Sequence, residues 1–234
     1  MSSVSFPRLV VFDLDDTLFP ERDYVRSGFA AVDGAVRRRF HRHGFNEAVR
    51  ELFESGVRGR IFDEALVRLG LSPARPTVET LVEIYRGHSP AIALFDDVPR
   101  ALDMLGGRAR MAIISDGPLP SQRRKVAALR LGRRFDPIVL TDVWGRTFWK
   151  PHERAFRAVE AATGCAGSDC VYVGDNPAKD FLAPRALGWR TIRVRRPGCE
   201  HSEVEAEGAA DVECSNLDEL ESILATEAHV EAVR

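Results

Sequence analysis

Residues 8–20, RLVVFDLDDTLFP, join an apolar segment to a cluster of acidic side chains. Leu9–Phe12 is a short, uninterrupted apolar run, which is typical of a strand that is buried on both faces. Asp13, Asp15 and Asp16 follow this run directly. In an open α/β sheet, the carboxyl ends of the strands are where ligands bind. Because carboxylates so close together repel each other, we expect a positively charged group among them.

Helical and strand patterns divide the chain into two regions. Between about residues 20 and 90, apolar residues recur at steps of three or four, glycine and proline separate the helices, and no strand pattern occurs. From about residue 95, short apolar strands alternate with helices, which indicates βαβ units and a parallel sheet. We therefore predict an α/β core made of residues 1–19 and 93–234, with residues 20–92 inserted as an all-helical domain.

The composition argues against several classes of function. A net charge of −2 gives no general reason to expect a nucleic acid or an anionic membrane as a partner. No apolar run approaches the roughly 20 residues of a membrane span, and the N-terminus lacks the pattern of a signal peptide. The four cysteines form no CxxC pair, which favours reduced thiols and a cytoplasmic location. The sequence leaves the oligomeric state open.

Further polar residues stand where other predicted strands end. The segment AIISDG places Ser115 and Asp116 at one strand end, and VYVGDN places Asp175 and Asn176 at another. Lys150 precedes a proline and is predicted to lie at the N-terminus of a helix, where an anion is favoured. Since the carboxyl ends of parallel strands share one edge of a sheet, we expect these side chains to lie near the acidic cluster of the first strand.

This set of residues suits phosphoryl transfer. The carboxylates of Asp13 and Asp175 are the oxygen ligands that Mg²⁺ prefers, and the ion offsets their repulsion. A carboxylate can attack phosphorus, and a second acid, Asp15, can protonate the leaving oxygen and then activate water. Ser115 and Lys150 can hold the phosphoryl oxygens, where charge develops in the transition state. The expected cofactor is Mg²⁺, and the expected partner is a small phosphorylated metabolite.

Four motifs in this order resemble those of the haloacid dehalogenase-like (HAD) hydrolases, most of which are phosphatases. DLDDT is similar to the first motif, DxDx[TV], while Ser115 matches the second, Lys150 the third, and GDNPAKD the fourth. The resemblance implies a Rossmann-like core in which Asp13 is the nucleophile and a Mg²⁺ ligand. It further implies that Asp15 is the general acid/base and binds Mg²⁺ through its carbonyl, that Asp175 completes the metal site, and that Ser115 and Lys150 bind phosphate.

The resemblance implies supporting roles for Thr17 and Asp180, and the local sequence indicates roles for Asp116 and Asn176. Thr17 is expected to brace the phosphate-binding loop. Asp116 is expected to offer its backbone N–H to phosphate while its side chain caps the next helix. Asp180, one helical turn into the element after the fourth motif, is expected to orient Lys150 or metal-bound water. Asn176 is expected either to cap that helix or to support the metal through a water molecule.

The helical insertion resembles the C1 cap of HAD subfamily I, which closes over the core and excludes water. Arg58 and Arg60 are candidates for cap residues that reach the substrate, because the glycines in GVRGR let the backbone bend. The alternative is that both are exposed loop arginines. Asp16 could coordinate the metal, but its side chain should point away from those of Asp13 and Asp15, so it is interpreted as a loop cap. Lys125 is interpreted as having no special role, and Lys179 as a solvated helix residue.

Three functions are compatible with these motifs. The first is a Mg²⁺-dependent phosphatase that hydrolyses a sugar phosphate or a nucleotide monophosphate through an aspartyl-phosphate. A phosphomutase with the same nucleophile keeps both aspartates and stays open. The third is a protein that binds a phosphorylated ligand without turnover. Haloacid dehalogenases lack the acid two residues after the nucleophile, so Asp15 argues against dehalogenation.

Overall fold

The computed structural model describes residues 6–230, apart from the side chains of Pro76 and of residues 226–230. The described chain divides into two compact units, one that ends at Glu21 and resumes at Ala93, and the other formed by Arg22–Ile92. The boundary predicted at residue 20 lies two residues before Arg22. Within the described range, no helix is both long enough and apolar enough to cross a membrane.

Six parallel strands form the sheet of the first unit. They are β1 (Leu9–Phe12), β2 (Arg110–Ser115), β3 (Ile138–Leu140), β4 (Cys170–Gly174), β5 (Arg190–Val194) and β6 (Val212–Cys214). Their order is β3-β2-β1-β4-β5-β6. β1 lies between β2 and β4, with Phe12 opposite Ile113 on one side and Val173 on the other. The carboxyl ends of these three strands lie side by side, which confirms the predicted α/β fold with a Rossmann-like parallel sheet.

Nine α-helices occur in the described residues. They are α1 (Glu21–Phe40), α2 (Phe45–Glu54), α3 (Ile61–Arg68), α4 (Arg75–Gly87), α5 (Val98–Leu105), α6 (Leu119–Ala128), α7 (Arg154–Thr163), α8 (Leu182–Ala186) and α9 (Leu220–Val230). The inserted unit is built from α1–α4, and its described residues contain no strand. The other five helices alternate with the strands of the sheet, as expected for βαβ units, except that β6 follows β5 with no α-helix among the described residues between them.

Two helices of the first unit begin later than the sequence pattern indicates. α7 begins at Arg154, so Lys150 lies in the loop before it, and the prediction of a helix N-terminus at this lysine is wrong. α8 begins at Leu182, so Asp180 lies in the preceding turn and not one turn into a helix. The carboxylate of Asp180 accepts a hydrogen bond from the backbone N–H of Asn176 at 2.9 Å. This local bond closes residues 176–180 into a turn, because an aspartate side chain can compete with helical hydrogen bonding.

Packing on both faces holds β1 in place. Leu9 and Val11 are fully buried in an apolar cluster that includes Phe156 of α7. On β1, the ring of Phe12 meets that of Phe135 edge-on, with 5.9 Å between the ring centres. Each such burial stabilises the fold by about 1.5–3 kcal/mol relative to an exposed side chain. The strand that leads into the acidic cluster is therefore a rigid support for a functional site.

The inserted unit has an apolar core of its own. Phe29, Phe45 and Leu66, from three of its helices, are buried in one cluster. Gly28 of α1 packs directly against the ring of Tyr85, where the β-carbon of any other residue would collide with that ring. The unit therefore has the internal packing that an independent helical domain needs.

Candidate active site

The ends of three neighbouring strands bring together three of the predicted site residues. The backbone N–H of Asp13 donates to the carbonyl of Val173 at 2.8 Å, which extends the pairing of β1 with β4. Ser115 is the last residue of β2, and Asp175 comes directly after β4. All three side chains are buried. The arrangement follows from the strand order, since adjacent parallel strands end at the same edge.

Lys150 reaches this edge from the loop before α7. Its Nζ lies 2.5 Å from Oδ1 of Asp13 and 2.7 Å from Oδ1 of Asp180. It also donates a hydrogen bond to the hydroxyl of Tyr172 at 2.9 Å. The lysine side chain is 0% exposed, so these neighbours take the place of water in stabilising its charge. Lys150 is therefore a positive group of the kind that the crowded carboxylates require.

Burial and mutual repulsion shift the protonation of these groups. Burial raises the pKa of Asp13 to about 6, against the opposing attraction of Lys150. Burial, together with the negative charges of Asp180 and Asp13, raises the pKa of Asp175 well above its usual range. Burial alone would lower the pKa of Lys150, but the carboxylates of Asp13 and Asp180 outweigh it and raise this pKa. The cluster thus holds more negative charge than one ammonium group balances.

Three carboxylates of the cluster suit a divalent cation. One oxygen each from Asp13, Asp175 and Asp180 lies within 4.8 Å of the others. Gly174 leaves space for this arrangement, because a β-carbon there would lie 2.5 Å from Oδ2 of Asp180. Mg²⁺ binds hard oxygen ligands such as carboxylates in proteins, so the oxygens of these three aspartates fit this ion. The sequence predicted Asp13, Asp15 and Asp175 as ligands, and the geometry adds Asp180 to the acidic group.

Asn176 is held at both ends of its amide group. Its Oδ1 accepts from the backbone N–H of Ala178 at 3.0 Å, which is a capping interaction within the turn. Its Nδ2 lies 2.9 Å from Nε2 of His201, a residue of the segment between β5 and β6. Asn176 therefore caps the turn and not α8, which begins only at Leu182, so the prediction that it caps that helix is wrong.

Two hydroxyl groups are candidates for holding phosphoryl oxygens. Oγ of Ser115 lies 2.7 Å from Nε2 of Gln122. Thr17 is fully buried, and its hydroxyl oxygen has no hydrogen-bond partner among the residues that the structure describes. A buried polar atom in this state costs about 1–3 kcal/mol. The backbone carbonyl of Thr17 is held by Nε of Arg196 at 2.9 Å, so the residue is fixed in the loop while its hydroxyl is left without a partner in the described part of the chain.

The side chain of Asp116 does not cap the next helix, contrary to the prediction. Its Oδ1 accepts from the hydroxyl of Thr141 at 2.8 Å and from the backbone N–H of Lys150 at 3.1 Å. Its Oδ2 accepts from Nζ of Lys179 at 3.3 Å, so the interpretation of that lysine as a solvated helix residue is also wrong. Asp142 caps α6 instead, by accepting from its first backbone N–H at 2.9 Å. Asp116 therefore ties the end of β2 to the loop that carries the buried lysine.

Asp15 contacts two side chains of α6 that the sequence did not single out. Nε2 of Gln122 lies 2.8 Å from its Oδ2, and Nζ of Lys125 lies 2.6 Å from its Oδ1. The side chain of Lys125 is 4% exposed, so the prediction that it needs no special role is wrong. The available signal was the spacing of Gln122 and Lys125, which puts them on one face of the helix, behind the second motif.

Asp16 is a cap, as predicted. Its Oδ1 accepts from the backbone N–H of Glu21, the first residue of α1, at 2.8 Å. Its Oδ2 accepts from the backbone N–H of Glu200 at 3.2 Å. The residue has a φ of 52°, a left-handed conformation that aspartate tolerates better than most residues. Its carboxylate is therefore engaged in holding the loop.

The two arginine candidates of the inserted unit have different surroundings. The guanidinium carbon of Arg58 lies 3.9 Å from the centre of the Phe53 ring, and NH1 donates to the carbonyls of Phe53 and Val57. The side chain of Arg60 is 81% exposed, with Nε 3.9 Å from a carboxylate oxygen of Asp63. Arg60 is therefore the more available of the two for a ligand, because Arg58 is engaged within its own unit.

The carboxyl edge of the parallel sheet carries a buried lysine and clustered aspartates, and a helical unit is inserted after the first strand. These features define a class of hydrolases with an aspartate at the end of β1. The family model of the haloacid dehalogenase-like hydrolases matches residues 7–188. The match includes all four motifs, and the chain belongs to this family of hydrolases.

Characterised relatives match nearly the whole chain. A glyceraldehyde 3-phosphate phosphatase of Methanocaldococcus jannaschii is 25% identical over 225 residues, which cover 92% of this chain and 96% of the relative. Phosphoglycolate phosphatase 1 of Pseudomonas aeruginosa is 29% identical over 226 residues, which cover 92% of this chain and 78% of the relative. The crystal structure of a 2-haloacid dehalogenase from Pseudomonas syringae pv. Tomato matches with a TM-score of 0.66 and 22% identity, over 94% of this chain and 99% of that one. At that identity, the third match supports the fold alone.

Proposed function

We propose that this protein is a Mg²⁺-dependent phosphatase that hydrolyses a small phosphorylated metabolite through an aspartyl-phosphate on Asp13. The observation that carries the proposal is the buried contact of Lys150 with Asp13 and Asp180, beside Asp175, at the shared end of three strands. This arrangement suits an anionic substrate, because an ammonium group lies beside carboxylates that are close enough together to hold a cation. The two phosphatases that match most of the chain support the same reaction class.

In the proposed reaction, an oxygen of Asp13 forms a bond to phosphorus as the bond between phosphorus and the leaving oxygen breaks. Asp15 gives a proton to that oxygen and later takes one from the water that hydrolyses the acyl-phosphate. Lys150 orients the attacking carboxylate through its 2.5 Å contact and offers positive charge to the phosphoryl oxygens. The hydroxyls of Ser115 and Thr17, with the backbone N–H of Asp116, hold the remaining phosphoryl oxygens.

The acidic cluster would hold the metal ion. Asp13 and Asp175 would bind it through carboxylates, and Asp15 through its backbone carbonyl. The bound ion supplies positive charge against the negative charge that develops on the phosphoryl group. Asp180 keeps the ammonium of Lys150 in place through their 2.7 Å ion pair, and Asn176 braces the turn that carries Asp180.

The names of the relatives favour one part of the substrate range. Glyceraldehyde 3-phosphate and phosphoglycolate are both short phosphomonoesters, so we propose a short sugar or acid phosphate ahead of a nucleotide monophosphate. Arg60, with its largely exposed side chain, and Arg58 are the proposed contacts in the inserted unit, which we propose acts as the cap. A cytoplasmic location is also proposed, and the four free cysteines accord with it.

Hydrolysis of p-nitrophenyl phosphate, followed by a panel of phosphorylated metabolites, tests this proposal. We expect release of inorganic phosphate with Mg²⁺, a loss of about 100-fold or more with EDTA, and recovery when Mg²⁺ is returned in excess. The panel contains short sugar and acid phosphates and nucleotide monophosphates, and 2-chloropropionate serves as a control for dehalogenation. Undiminished turnover in EDTA would contradict the metal dependence, and chloride release without phosphate release would contradict the reaction class. Isomerisation of a hexose phosphate without phosphate release would identify the phosphomutase.

A further inference from the structure

Two buried side chains of α6 hold both oxygens of the Asp15 carboxylate. Nε2 of Gln122 lies 2.8 Å from Oδ2, and Nζ of Lys125 lies 2.6 Å from Oδ1. Gln122 and Lys125 are 1% and 3% exposed, whereas Arg123 and Arg124 between them are exposed. The helix therefore presents these two residues, three positions apart, to one catalytic carboxylate.

The pair has features that packing alone does not require. A buried lysine must be paired with a negative charge. Because hydrophobic residues of similar size often stabilise a fold equally well or better, stability alone does not explain a lysine at this place. Nζ of Lys125 lies 2.6 Å from a carboxylate oxygen of Asp15. A carboxylate oxygen of Glu21 is farther from the same nitrogen, at 3.7 Å. The shorter contact makes Asp15 the principal anionic partner of this lysine.

Gln122 also joins Asp15 to the second motif. Its Nε2 lies 2.7 Å from Oγ of Ser115 and 2.8 Å from the backbone carbonyl of Asp116. One amide nitrogen has two hydrogens and here faces three acceptors. Gln122 therefore links the carboxylate of Asp15, the proposed acid for the leaving group, to the hydroxyl of Ser115, which is proposed to hold the phosphoryl group.

We propose that Gln122 and Lys125 are positioning residues that hold Asp15 for proton transfer to the leaving oxygen. This inference rests on the phosphatase function proposed above. In that step the O–H bond of the Asp15 carboxylic acid breaks and its proton goes to the leaving oxygen, which keeps the electron pair of the broken bond to phosphorus. The carboxylate left on Asp15 is then stabilised by the ammonium of Lys125 and the amide of Gln122.

A matched pair of aryl esters separates this role from a general structural one. p-Nitrophenolate leaves with little help from a proton, whereas phenolate is the stronger base and needs the acid, and the two esters differ by a single nitro group. The ratio of kcat/KM for p-nitrophenyl phosphate to that for phenyl phosphate reports the first chemical step. We expect Lys125→Met and Gln122→Leu each to raise this ratio by about tenfold, because general acid catalysis contributes about 10²–10⁴-fold.

The controls keep the result interpretable. Arg124→Met changes an exposed residue of the same helix and is expected to leave both rates and their ratio unchanged. Gln122→Asn keeps the amide but shortens its reach, so it is expected to raise the ratio even where Gln122→Leu fails to fold. An equal loss on both esters in the folded variants would overturn the inference while leaving the phosphatase function standing. A wild-type protein that hydrolyses neither ester would overturn both.

Discussion

Asp13→Asn is expected to abolish turnover while the protein stays folded. An amide in place of the carboxylate has neither the charge nor the nucleophilicity to attack phosphorus, so kcat should fall by about 10⁴-fold or more. The fold should survive because Asp180 still pairs with the buried ammonium of Lys150 at 2.7 Å, and the amide has nearly the same shape as the carboxylate that it replaces. Phosphate release under saturating substrate, with circular dichroism during heating, measures both quantities.

The matched control for this substitution is Asp103→Asn. Asp103 lies on α5, its side chain is 66% exposed, and it pairs with Arg134 at the surface. Its replacement should leave kcat unchanged, because exposed ion pairs contribute little and the residue is outside the acidic cluster. Activity of Asp13→Asn within tenfold of the wild-type rate would refute Asp13 as the nucleophile.

Lys150→Met is expected to lower both activity and stability. Methionine fills similar space, but it leaves the carboxylates of Asp13 and Asp180 buried without the ammonium that lies 2.5 and 2.7 Å away. Removing one partner of a buried ion pair costs about 3–5 kcal/mol in the free energy of unfolding. Loss of an electrostatic contact to the transition state lowers kcat by about 10²–10³-fold. Urea unfolding without Mg²⁺ and steady-state kinetics with Mg²⁺ measure the two effects.

A double variant separates the two roles of Lys150. The double variant Lys150→Met, Asp180→Asn removes one of the two carboxylates that Lys150→Met leaves unpaired. We therefore expect its free energy of unfolding to be higher than that of Lys150→Met alone, while kcat stays low. Arg157→Met on α7, where the arginine side chain is 59% exposed, is the surface control and should change neither quantity. An unfolding free energy of Lys150→Met within about 1 kcal/mol of wild type would show that the lysine does not compensate the buried carboxylates.

The fold was predictable because its signals are local and regular. The apolar run Leu9–Phe12 predicted β1 with its observed bounds, and the alternation after residue 95 predicted the rest of the parallel sheet. The start of α8 was not predictable from periodicity. It depends on the carboxylate of Asp180 turning back to the N–H of Asn176, an interaction that a helical pattern does not reveal.

The strand-end residues of the site were predictable for the same reason, but the residues that support them were not. Asp13, Ser115 and Asp175 each end a recognisable strand, so their meeting follows from topology. Lys125 follows two arginines, which looks like a solvated run, and its burial depends on where α6 packs. In the sequence, Tyr172 looks like one more apolar residue of β4. Only the structure shows that its hydroxyl accepts a hydrogen bond from the buried Lys150.

Covalent trapping in Asp15→Asn, with p-nitrophenyl phosphate as substrate, tests the central claim most directly. This ester needs little protonation, so the acyl-phosphate should form, while its hydrolysis should be slow because the base that activates water is gone. After an acid quench and digestion, mass spectrometry of the peptides is expected to find one phosphoryl group on Asp13. A phosphoryl group on a different residue, or no modified peptide while nitrophenolate is still released, would contradict the account.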